Sequence, residues 1–169
     1  MTAAALALGA NLGEARERMR EAVARLGEHP QVVVTAVSGL WRTAAIGGLE
    51  QPDFLNAVVL ADTSLEPAAL LGLAHELEEA AGRVRSVRWG PRTLDVDILA
   101  FDSERTADPA LTLPHPRAHE RSFVLAPWSE VDPQFVLTPV GQPGRTVAQW
   151  ARTVGDQQVS LLDGGQWWR

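Results

Sequence analysis

The sequence predicts an α+β domain in which one antiparallel sheet carries two long helices. Two observations lead there. Short apolar, β-branched runs alternate with two segments whose apolar residues recur at helical spacing. Glycine or proline stands at most junctions between them.

Ala4 to Leu8 is short, apolar and followed by glycine, as a buried first strand would be. Asn11, with Glu14 three residues on, has the spacing of a capping box. Leu12, Ala15, Met19, Val23 and Leu26 then mark one helical face, which Gly27 is expected to end. Val32 to Val37 reads as strand two. Gly39 to Pro52, with Gly39, Gly47 and Gly48, reads as a loop, and Phe54 to Ala61 as strand three. Pro67 suits a first helical turn. Leu70, Ala74, Leu77 and Ala81 form the inner face of the second helix, closed by Gly82. Arg83 to Arg92 is a polar loop, and Thr93 to Phe101 is strand four. The order β-α-β-β-α-β is the split βαβ, or ferredoxin-like, arrangement, with both helices on one face of the sheet. A C-terminal extension follows, with helices expected near Ser122 to Glu130 and Val147 to Arg152. The 169 residues suit a single domain, with a motif-bearing core over about 4–138 and a tail over 139–169.

Composition narrows the chemistry. There is no cysteine, so no disulfide, thiol nucleophile or cysteine-bound metal. Lysine is absent and all 15 basic residues are arginine, so a phosphate-handling cation must be arginine, a metal ion or protonated histidine. The net charge of −6 argues against non-specific nucleic-acid binding. No apolar run approaches the roughly 18–20 residues that span a bilayer. Met1 to Ala10 lacks a basic leader, and a cytoplasmic protein is expected.

Four constellations carry chemistry. Asp95-Val96-Asp97 places two carboxylates on one strand face, roughly 7 Å apart along the chain, with Leu94, Val96 and Ile98 turned into the core. That face is either solvated or an oxygen site for Mg²⁺. Arg83, Arg85, Arg88 and Arg92 crowd the preceding loop beside Trp89. Guanidinium forks match phosphate oxygens, and cations next to paired carboxylates are the parts phosphoryl transfer needs. Leu113-Pro114-His115-Pro116 restrains a histidine between prolines, with Arg121 and Phe123 following. Phe54 and Asn56 share a strand face, where a ring that stacks stands beside an amide that hydrogen-bonds.

Gly82-Arg83-Val84-Arg85 and Arg88 to Ile98, together with Leu8 to Gly13, Gln51 to Asn56 and Leu113 to Pro116, resemble the 6-hydroxymethyl-7,8-dihydropterin pyrophosphokinase family of folate biosynthesis. The resemblance covers residues 4 to about 138. It implies a transferase that moves the diphosphate of ATP onto the hydroxymethyl oxygen of the pterin and releases AMP. It implies that Asp95 and Asp97 hold two Mg²⁺ ions and that Arg83 and Arg92 act on the transferring group. Arg85, Arg88 and Trp89 would close the loop. His115 and Arg121 would hold ATP phosphates, with Thr112, Ile98 and Glu78 at the nucleotide. Phe54 and Phe123 would sandwich the pterin, with Asn56 and the loop at Thr43, Ala45 and Ile46 reading its edge. The implied partners are ATP and the pterin, with no nucleic acid, no membrane and a monomeric chain. Ala10 replaces the family's usual serine and Trp41 a smaller aromatic residue. The run Thr43-Ala44-Ala45-Ile46-Gly47 lacks the family's proline. The competing expectations are another Mg²⁺-dependent phosphohydrolase or nucleotidyltransferase, and a non-catalytic ligand-binding module.

Overall fold

The structure is a computed structural model that describes residues 1–11, 13–43, 53–82, 93–155 and 157–169. In chain order the elements are β1 (Thr2–Ala10), α1 (Ala15–Glu28), β2 (Val32–Val37), β3 (Leu40–Thr43), β4 (Phe54–Thr63), α2 (Pro67–Ala80) and β5 (Asp95–Phe101). Then come a short 3₁₀ turn (Ala118–Glu120), α3 (Ser122–Val131), β6 (Val136–Leu137), β7 (Arg145–Thr146), α4 (Val147–Val154) and β8 (Val159–Asp163).

The main sheet runs β5-β1-β4-β3-β8, with β2 also paired to β4. Every pairing is antiparallel. Strand alternation divides its side chains between two cores. Leu6, Leu8, Val59, Ala61, Val96 and Ile98 pack against Met19, Leu26, Leu70 and Leu77 of α1 and α2. Ala5, Val58, Leu99 and Ala100 pack against Leu125, Trp128 and Trp150 of α3 and α4. The two long helices share a face as the sequence predicts, and the C-terminal extension covers the opposite one. A one-residue irregularity between Ala5 and Leu6, where Leu99 is the extra residue on β5, lets Leu99 and Ala100 both reach the α3 side.

Several local expectations are corrected. Asn11 does not cap α1. Gly13 turns the chain with φ +52°, so the helix starts only at Ala15, and Glu14 stands at the N-cap with no side-chain hydrogen bond. Gly27 lies within α1, which runs on to Glu28. The stretch from Gly39 read as a loop contains β3. It is held by Glu130 of α3, whose carboxylate accepts the Gly39 N–H at 2.8 Å and the Trp41 Nε1–H at 2.9 Å. The indole N–H gives position 41 a donor that a phenylalanine would lack. Gly39 is needed because a Cβ would lie 2.8 Å from Leu161 and 2.9 Å from the Asp163 carbonyl.

The tail is the largest addition to the predicted fold. After α4 it forms β8 on the outer edge of β3, then crosses to the α1 side. Arg16 pairs with Asp163, Arg20 Nε donates to the Arg169 carbonyl at 2.8 Å, and Trp167 is buried with its Nε1–H on the Ser38 carbonyl at 2.8 Å. Among the described residues, no helix is long and apolar enough to cross a membrane.

Replacing Trp167 by alanine should therefore lower unfolding free energy by about 3–5 kcal/mol in urea titrations, the range for a large buried aromatic. A loss under about 1 kcal/mol, typical of surface substitutions, would mean that the tail lies outside the cooperative core.

Candidate active site

The site is built around the centre strand. On β1, Gly9 pairs with Asp95 of β5 on one side and Asn56 of β4 on the other, and Asn56 pairs in turn with Trp41 of β3. Residues directly opposite across a sheet project to the same face. Asp95, Gly9, Asn56 and Trp41 therefore form one row. Ala7 lies opposite Asp97, and Thr43 opposite Phe54, so both flanking positions join that face. Between the carboxylates and the amide there is only a hydrogen at Gly9, where an added Cβ would approach Asn56 Oδ1 to 3.4 Å. The sheet face is thus low between Asp95 and Asn56.

On β5 the alternation read from the sequence holds. Val96 and Ile98 are each 3% exposed, beneath a half-buried Asp95 and an exposed Asp97. No group of three or more His, Asp or Glu residues capable of holding a metal occurs among the described residues. Two carboxylates over a glycine and an alanine nonetheless suit Mg²⁺, which takes one or two carboxylates and completes its shell with water and substrate phosphates. Glu78 of α2 is buried, and its carboxylate accepts the Val96 N–H at 3.3 Å. This bond fixes the peptide between the two aspartates.

The prolines around His115 position it as rigidity predicts. Its N–H donates to the Leu99 carbonyl at 2.8 Å, which docks the segment on β5 close to Asp97. Burial pushes the imidazole below its ordinary value of 6.5; Asp97 opposes this, while Arg121 and Arg117 add to it. The ring is therefore neutral near pH 7. Its Nδ1 accepts the Arg117 N–H at 3.2 Å, leaving the proton on Nε2 as a donor for an anion. Arg121 stands at the N-cap of α3, its guanidinium 5.6 Å from the centre of the Phe123 ring. Ile98 places its side chain in the core and offers only backbone to the site. Thr112 donates its hydroxyl to the Asp108 carbonyl at 3.1 Å.

At the other end of the row, Asn56 is buried, and its Nδ2 donates to Thr43 Oγ1 at 2.8 Å. This bond orients the amide and leaves Oδ1 directed over Gly9. Phe54 and Phe123 are both half-buried. Arg42 and Asp53 pair at 3.5 Å where β3 leaves the sheet and β4 enters it. Arg83, Arg85, Arg88, Trp89 and Arg92, with Ala45 and Ile46, lie outside the described residues.

Sequence reasoning missed other residues at this site. Asn11 and Thr93 stand two residues beyond the Gly9–Asp95 pair. Asn11 Oδ1 and Thr93 Oγ1 are buried without a hydrogen-bond partner among the described residues. Asn11 lies in the Leu8 to Gly13 block and Thr93 in the Arg88 to Ile98 block, but only the antiparallel β1–β5 pairing brings both positions to the same end of the sheet.

A family described as 7,8-dihydro-6-hydroxymethylpterin-pyrophosphokinase matches residues 5–133. The 2-amino-4-hydroxy-6-hydroxymethyldihydropteridine pyrophosphokinase of Bacillus subtilis is 48% identical over 126 residues, covering 75% of each chain. The protein of the same name from Mycobacterium tuberculosis is 44% identical over 153 residues, covering 85% of this chain and 79% of its own. Among solved structures, HPPK-DHPS of Plasmodium falciparum superimposes with a TM-score of 0.70 at 14% identity. The match covers 90% of this chain and 45% of that longer one, a likeness of fold. On the family match and these identities, the chain belongs to the 7,8-dihydro-6-hydroxymethylpterin-pyrophosphokinase family.

Proposed function

We propose that this chain transfers the diphosphate of ATP to 6-hydroxymethyl-7,8-dihydropterin, giving AMP and the pterin diphosphate for folate biosynthesis. Family membership supports the reaction. The observation that carries the residue assignments is the cross-strand row: the carboxylates of β5 and the Asn56 amide of β4 share one face across Gly9. The sheet order β5-β1-β4, with β2 and β3 flanking β4 and with α1 and α2 on one side, supports the ferredoxin-like arrangement.

In this reading the pterin lies between Phe54 and Phe123, with Asn56, Thr43 and the loop bearing Ala45 and Ile46 at its edge. Its hydroxymethyl oxygen attacks the β-phosphorus of ATP. The bond from that phosphorus to the α,β-bridging oxygen breaks, and the bridging oxygen leaves with AMP. Two Mg²⁺ ions held by Asp95 and Asp97 would neutralise phosphate charge and lower the pKa of the attacking hydroxyl. The neutral His115 donates from Nε2 to an ATP phosphate, and Arg121 supplies a guanidinium beside it. Arg83 and Arg92 stabilise charge that grows on the leaving group, where donors contribute most to rate. Arg85, Arg88 and Trp89 close over the nucleotide. Thr112 and the Ile98 backbone border it, and Glu78, expected at the nucleotide, is buried and acts there by holding the strand that carries both aspartates. The reading includes a monomeric, cytoplasmic protein without a membrane partner, and the net charge of −6 argues against nucleic-acid binding.

The decisive assay mixes ATP, Mg²⁺ and the hydroxymethyl pterin. AMP should form only when pterin is present, and phosphate or diphosphate release without pterin would favour a hydrolase. Asp97→Ala should abolish turnover while pterin binding stays measurable by ligand fluorescence, and full activity in that variant would exclude the metal role.

His115 yields a pH prediction. A folded-state pKa held below 6.5 means that the unfolded chain binds the extra proton. The resulting stability is complete above about pH 6.5 and is lost as pH falls through the lower folded value. In EDTA, the melting temperature of His115→Gln should fall less steeply than that of the wild type from about pH 7 to about pH 5. Parallel slopes would contradict the burial of a neutral ring.

A further inference from the structure

The tail segment between α4 and β8 touches both sides of the pterin slot, and no family motif accounts for it. α3 has no cap from its own N-cap side chain, because that residue is Arg121. Gln157 supplies one from the tail. Its Oε1 accepts the Ser122 N–H at 2.9 Å, and its Nε2 donates to the Glu120 carbonyl at 3.2 Å. The two bonds bracket Arg121 and fix the first turn of the helix that carries Phe123. Two residues later, Val159 pairs with Thr43, the β3 residue opposite Phe54. Gln158, between them, has φ +60°, a left-handed conformation that side-chain-bearing residues rarely adopt. Anchors on both sides hold it there.

We propose that Gln157 is a positioning residue which sets the spacing of the pterin slot. It ties the Phe123-bearing helix terminus to the β3–β4 edge that carries Thr43 and Phe54. This rests on the reading of Phe54 and Phe123 as the stacking pair. Spacing matters there because an added gap of about 0.5–1 Å forfeits a quarter to a half of the dispersion contact. The short span from Gln157 to Val159 leaves little slack, since an extended chain advances at most about 3.3–3.6 Å per residue.

The test uses the full chain and three variants. Pterin affinity is read by ligand fluorescence, turnover by AMP release, and stability by thermal melting. Gln157→Ala should weaken pterin binding about two- to tenfold, the worth of a typical hydrogen bond. At saturating pterin, kcat should stay within about twofold. Gln157→Glu keeps the acceptor for Ser122 and loses the donor to Glu120, so its affinity should fall between alanine and wild type. Ser160→Ala, on β8 with an exposed side chain, should bind as wild type. A lowered melting temperature with unchanged pterin affinity in Gln157→Ala would reduce Gln157 to a structural cap and overturn the proposal. An equal loss in Ser160→Ala would also overturn it, because the effect would then belong to β8 at large. A wild-type chain that binds no pterin would overturn the site assignment together with this inference, whereas binding equal in wild type and Gln157→Ala would overturn this inference alone.

Discussion

The site depends on the pairing of β1 with two neighbours at Gly9. That strand has β5 on one side and β4 on the other, and at Gly9 it offers no side chain. Asp95 and Asn56 thereby come to share one face across a gap one strand wide. Had β1 slipped by a single residue, every side chain on it would change faces. The buried Leu6 and Leu8 prevent this, since a slip would lift them out of the α1–α2 core. The register that buries the core therefore also sets Asp95 and Asn56, the groups proposed to meet metal and pterin, on one face.

The supporting bonds follow from that register. Glu78 takes up the Val96 N–H on β5, so the strand carrying the aspartates is held on the side where no further partner strand stands among the described residues. His115 docks on the Leu99 carbonyl of the same strand, beside the bulge that turns Leu99 toward α3. Glu130 holds β3 from the α3 side, and the Asn56–Thr43 bond links the row to the neighbouring Thr43–Phe54 pair. Each contact joins residues distant in sequence, and each bears on the backbone or orientation of a group expected to touch substrate.

How much of this was legible in the sequence follows from the range of each signal. The Asp95–Asp97 pair was readable because strand alternation is a local rule with period two, and Val96 and Ile98 obey it. The long helices were readable from Met19, Val23, Leu26 and from Leu70, Ala74, Leu77. β3 was not, because four residues preceded by glycine give no periodicity, and what secures them is Glu130, 89 residues from Trp41. β8 was hidden for a similar reason: its partner is β3, itself unrecognised. The expected cap at Asn11 failed because the motif matched in spacing while Gly13 turned the chain away. The aspartates, His115, Arg121 and the phenylalanines were marked by composition and by family resemblance. Glu130, Gln157 and Gly9 gain their meaning only from partners brought close by folding.

The sharpest experiment is a crystal structure of the full chain with a non-hydrolysable ATP analogue, Mn²⁺ and the hydroxymethyl pterin. Anomalous scattering would locate the metal without reference to its ligands. Mn²⁺ should be bound by both Asp95 and Asp97, with the pterin ring on the same sheet face and its edge at Asn56, across Gly9. Metal bound away from the two aspartates, or a pterin on the α1–α2 side of the sheet, would contradict this placement.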